Sequence, residues 1–141
     1  MCAKYIVMKN FKIILATLLF ALISTTTLMK AQTPDAVFGK ITTAIQGGNA
    51  EALSALLQSP VEITLPGADQ AYSAQQASFV LKEFFKKYPP KSFKVLHKGN
   101  SGPTHYATGS YTSSGGTFDT NIFLKKVDNT FKVTQLRFEA E

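Results

Sequence analysis

From Asp35 onward the apolar positions fall at helical intervals, then switch to alternation. Val37, Phe38, Ile41, Ala44 and Ile45 recur every three or four residues and predict one face of a helix. Thr33 stands where an N-cap belongs, and Pro34 takes the first helical position, where its missing N–H costs nothing. Gly47-Gly48 predicts the stop. Asn49 predicts the cap of a second, short helix, with Leu53, Leu56 and Leu57 as its stripe before Pro60. Val61-Glu62-Ile63-Thr64-Leu65 alternates strictly and predicts a strand, closed by a Pro66-Gly67 turn. Ser73 and Gln76 have the spacing of a capping box. Ala77, Val80, Leu81, Phe84 and Phe85 then give a third helix a broad apolar face that runs to Pro89-Pro90.

Beyond Pro90 the pattern is extended. Strands are expected at Ser92–Lys98, Thr104–Thr112, Thr117–Val127 and Thr130–Glu139, separated by loops rich in Gly, Ser and Asn. Loops of that length and composition connect hairpins, so the four strands should form an antiparallel meander. The order α-α-β-α-β-β-β-β describes an α+β domain, with three helices on one side of a curved, mainly antiparallel sheet.

The first 31 residues follow a different rule. Lys4, Lys9 and Lys12 precede the uncharged run Ile13–Ile23, and Ser24-Thr25-Thr26-Thr27 follows it. These are the parts of a secretory signal peptide, and the run is shorter than the roughly 18–20 residues of a membrane span. Cleavage after Ala31 would leave Gln32 as the first residue, although Met29 fits the small-residue rule at −3 poorly. Met8 offers a second start, and an uncleaved anchor is the alternative reading. The expected division is a leader over 1–31 and a single exported domain over 32–141, periplasmic or secreted.

Composition changes meaning once that segment is set aside. The 141 residues carry 15 basic and 9 acidic side chains, a net charge of +6 that invites a nucleic-acid reading. Lys4, Lys9, Lys12 and Lys30 all lie in the leader, which holds no acid. Removing those four leaves 11 basic side chains against 9 acidic, a balance of +2, and the electrostatic case for nucleic acid goes with them. The only cysteine, Cys2, lies before the apolar run, so it is no lipid-attachment cysteine, and the exported chain is cysteine-free.

Pairing Lys98 with Thr104, Thr112 with Thr117 and Val127 with Thr130 assigns the faces of the meander. One face carries Phe93, Val95, His97, His105, Ala107, Gly109, Tyr111, Phe118, Thr120, Ile122, Leu124, Phe131, Val133, Gln135 and Arg137, and as the more apolar it is expected to meet the helices. Phe93 then covers Gly109, an aromatic rescue of a glycine. The other face carries Leu136 and Phe138 and puts Leu96, Tyr106 and Phe123 in one apolar row, a candidate interface. A single β-bulge would invert part of this assignment.

The element order resembles the nuclear-transport-factor-2-like, or cystatin-like, fold. More narrowly, Gly48-Asn49-Ala50, Val61-Glu62-Ile63, Tyr72-Ser73 before Gln76-Ala77, Phe84-Phe85, His97-Lys98-Gly99 and Phe123-Leu124-Lys125-Lys126 resemble a family of secreted bacterial proteins, typical of Bacteroidota, whose domain has no known function. The resemblance implies a cone-shaped fold, a secretory location, a ligand lumen between helices and sheet, and dimerisation through the outer sheet face. It carries no catalytic residue.

Placed in such a lumen, Tyr111, Thr120, Gln135 and Arg137 are the candidate ligand-binding residues, for a small hydrophobic or anionic ligand. Arg137 is the sharpest, because a buried guanidinium must be paired; Glu62 and Glu139 are its alternative partners. His97 and His105, opposite in this register, are two imidazoles without a third ligand, so no metal or cofactor is expected. No acid–base pair, nucleophile or phosphate loop assembles. Lys82, Lys86, Lys87, Lys91, Lys94 and Lys98 give the third helix and next strand one positive side. The expectation is a non-enzymatic, dimeric binding or scaffold domain with a small pocket. The alternative is a small enzyme of the same fold that acts on a hydrophobic substrate by acid–base chemistry through Glu62 or a histidine.

Overall fold

The elements run α1 (Pro34–Gln46), α2 (Ala50–Ser54), β1 (Leu57–Leu65), β2 (Ala68–Tyr72), α3 (Ala74–Lys87), β3 (Pro90–Ser101), β4 (Thr104–Ser113), β5 (Gly116–Val127) and β6 (Thr130–Ala140). They are seen in a computed structural model in which residues 32–141 are described; the expected leader lies outside them. The caps are those the sequence specifies. Thr33 accepts from the Ala36 N–H, Asn49 from that of Ala52, and Ser73 and Gln76 exchange both bonds of a capping box. No helix among the described residues is long and apolar enough to cross a membrane.

Two elements differ from expectation. The second helix ends at Ser54, and Leu57 already belongs to β1, where it pairs with Val133. The Val133 N–H donates to the Leu56 carbonyl at 2.9 Å, a ladder contact that wins over the helical stripe. The second is β2, which folds back on β1 across the Pro66-Gly67 turn, with Gly67 at φ 83°. Its Asp69, Gln70 and Ala71 are exposed at the sheet edge, so no apolar alternation announces it.

The sheet order is β2-β1-β6-β5-β4-β3. The predicted meander β3 to β6 is present, and β1 joins its far side parallel to β6. Helices cover one face, where the stripes of α1 and α3 meet Tyr111, Phe118, Ile122, Leu124, Leu136 and Phe138.

Register is where the outcome departs most. Thr112↔Thr117 and Val127↔Thr130 pair as expected. A bulge then leaves Thr134 without a partner, because Leu124 pairs with Val133 and Phe123 with Gln135. Beyond it β6 is turned over. Leu136 and Phe138, expected outside, are fully buried, and Gln135 and Arg137 face the other way. The β3–β4 hairpin closes on Ser101↔Thr104 rather than Lys98↔Thr104, and a second bulge isolates Leu96. Gly109 therefore pairs with Val95, yet the Phe93 ring still lies over it diagonally. A Cβ on Gly109 would stand 2.6 Å from the Lys94 carbonyl oxygen and 2.9 Å from Phe93 Cε2.

Candidate functional site

The space between α3 and the sheet is filled by rings. Phe84 lies 4.7 Å from Phe138, 5.3 Å from Tyr88, 5.5 Å from Phe118 and 5.7 Å from Tyr111, all between ring centroids. Such tilted and edge-on contacts close the interior by interlocking shapes. Tyr111, one of the four expected lumen residues, is fully buried in this cluster and donates its phenol hydrogen to the Tyr88 carbonyl. Burial pushes its phenol up from the usual tyrosine value. Thr120 is buried beside it, its Oγ1 without a hydrogen-bond partner.

Gln135 and Arg137 do not join them. The Thr134 bulge places both on the open face, opposite Phe123 and Asn121. The four expected pocket residues therefore divide two and two between the faces. Arg137 finds neither Glu62 nor Glu139. Among the described residues the only ion pair joins Lys98 and Asp35 at 3.3 Å, and Arg137 Nε is buried without a hydrogen bond. Arg137 is flanked by Asn121 on β5 and Thr64 on β1.

The Leu96 bulge separates the histidines as well. His97 pairs with Thr108 on the open face, 5.9 Å from the Tyr106 ring. His105 pairs with Leu124 on the helix side, 5.3 Å from Phe131. They do not face one another, and among the described residues no group of three potential metal ligands converges. The same bulge splits the basic stretch, because Lys94 stays on the open face while Lys98 turns to Asp35 and the Phe38 ring.

On the open face the expected apolar row is shortened. Tyr106 and Phe123 pair directly, with centroids 6.5 Å apart. Leu96 has left the row and projects from the edge strand, 70% exposed. Gly99 takes its place, and the Tyr106 ring lies across it. A Cβ there would come 2.5 Å from the phenol oxygen.

Beside this pair is a hollow of about 470 Å³, bounded by Gln58, Glu62, Thr104, Phe123, Lys125 and Gln135. Periodicity alone does not reveal it, because it depends on register shifts in β1 and β6. On β1 its sequence signal is Pro60, since a proline inside a strand marks an interruption of the ladder.

A family model described as a domain of unknown function (DUF4783) matches residues 38–139. Among solved structures, a DUF4783 family protein from Bacteroides ovatus ATCC 8483 is similar, with a TM-score of 0.71 and 27% identity. That match covers 79% of this chain and 97% of the other. One from Bacteroides uniformis ATCC 8492 has a TM-score of 0.70 at 23% identity, over 73% of this chain and 95% of that one. An NTF2-like protein of unknown function from Cytophaga hutchinsonii ATCC 33406 matches at 0.59 and 11% identity, over 81% and 95%, a likeness of fold alone. No curated protein matches the chain.

Proposed function

The chain belongs to the DUF4783 family, within the NTF2-like fold, and from that premise we propose that it is an exported, non-catalytic binding domain that works as a homodimer through the open face of its sheet. The observation that carries the reading is the ring cluster around Phe84 and Tyr111. With that interior filled, recognition falls to the opposite face. The leader's basic, apolar and polar parts support export.

The open face supports self-association by its order of charges. Lys125 and Lys132 pair at one end, and Asp119 and Glu139 pair at the other. The Tyr106–Phe123 and Asn121–Arg137 rows lie between them. A two-fold axis through those middle rows reverses the order in the second copy. The lysine end of one protomer then meets the acidic end of its partner, and the half-buried Tyr106 rings meet each other, with Phe123 left to the hollow at its side. Sedimentation equilibrium of the exported protein is expected to give a dimer, and Tyr106→Glu a folded monomer. An unchanged mass in the variant, or a monomeric wild type, overturns this reading. N-terminal sequencing of the exported protein is expected to begin at Gln32.

A further inference from the structure

Two irregularities coincide on neighbouring strands next to the Tyr106–Phe123 pair. On β6 the extra residue Thr134 breaks the ladder with β5. On β1 the register with β6 shifts between Leu57 and Glu62, so the segment from Gln58 to Val61 leaves the regular pairing. Bulges re-aim side chains and open a ladder, and here two of them flank one spot. The hollow of about 470 Å³ lies there, within the size range of small-ligand sites.

Its lining is chemically mixed. Phe123 supplies a ring, Gln58 and Gln135 two amides, Thr104 a hydroxyl, Glu62 a carboxylate and Lys125 an ammonium. The Thr134 hydroxyl is already spent on the Phe123 carbonyl, whereas these polar groups have no internal partner among the described residues. A purely apolar ligand would strip water from them and return nothing. A simple anion would meet Glu62, and a simple cation Lys125. A polyhydroxylated ring matches the whole set: its hydroxyls both donate and accept, as amides and carboxylates require, and its C–H face lies on an aromatic ring.

We propose that this hollow is a saccharide-binding site for one or two pyranose units, held by Gln58, Glu62, Gln135 and Lys125 around Phe123. The inference rests on the reading of the open face as the working surface and names the ligand class it takes.

The test is a ¹H–¹⁵N NMR titration of the exported protein with cellobiose and with N-acetylglucosamine, and with alanylalanine as a zwitterion of similar polarity. Saturable shifts are expected around Gln58–Glu62, Phe123–Lys125 and Gln135 for at least one sugar, with a Kd on the order of 1–10 mM. Gln135→Leu and Phe123→Leu should each weaken binding by about tenfold with the spectrum otherwise intact. If either variant fails to fold, Glu62→Gln, exposed on β1, provides the same comparison. No sugar-dependent shift, shifts elsewhere, or saturation by alanylalanine alone overturns the proposal. Sedimentation of the same samples separates the two readings: a dimer that ignores sugars refutes the site alone, and a monomer that binds them refutes the dimer alone.

Discussion

Replacing Tyr111 by Phe removes one oxygen from the centre of the ring cluster and tests whether that interior is closed. The phenol donates to the Tyr88 carbonyl, and Tyr111 itself is fully buried. The variant loses that bond and leaves a half-buried carbonyl unpaired, at a cost of about 1–2 kcal/mol at neutral pH. For a domain of this size each kcal/mol lowers Tm by about 4 °C. Alkali supplies a second signature. The folded phenol is held above its ordinary value of 10.0, so it stays protonated where the unfolded chain ionises. Its contribution is complete below pH 10 and is lost as pH rises above it, by about 1.4 kcal/mol per pH unit. Phe has no proton to lose. Urea melts at pH 8 and pH 11 should therefore show the wild type ahead at the lower pH and the gap closing by about 1.4 kcal/mol at the higher. A gap that is the same at both, or absent at pH 8, would mean a solvated phenol and an open interior, and the argument for recognition on the opposite face would fail with it.

Other substitutions probe the parts that shape the two faces. Gly109→Ala should cost about 1–3 kcal/mol, because the new methyl meets the Lys94 carbonyl, which cannot swing aside. Gly99→Ala should cost less, since it displaces only the free end of the Tyr106 ring; chemical denaturation giving the reverse ranking refutes the account. Thr120→Val should stabilise by about 1 kcal/mol by removing a buried hydroxyl with no partner, and a lower urea midpoint than wild type would show that the hydroxyl is satisfied. Ser73→Ala should lose about 1 kcal/mol with the capping box of α3, read as a lower Tm; an unchanged Tm counts against it.

The sequence by itself determined what depends on neighbours three or four positions away. Thr33, Asn49 and Ser73 cap the helices they precede, and the Asp128-Asn129 turn takes positive φ at both residues, as its hairpin requires. The spacing of Phe84, Phe85 and Leu81 was enough to give α3 its buried face. Even the Thr134 bulge leaves a trace, because the apolar positions Phe131, Val133, Leu136 and Phe138 skip one step of the alternation. The Leu96 bulge leaves none: past Leu96 no apolar residue of β3 marks the face, and only pairing with β4 decides it. The tertiary structure alone decided which residues share a face, and hence the candidate site. Gln135 and Arg137 could be assigned to either side until β5 and β6 were in register, and a one-residue slip moves every later side chain across the sheet. The hollow follows from the same cause, since it exists only where β1 and β6, separated in the chain by α3 and four other strands, interrupt their ladders side by side.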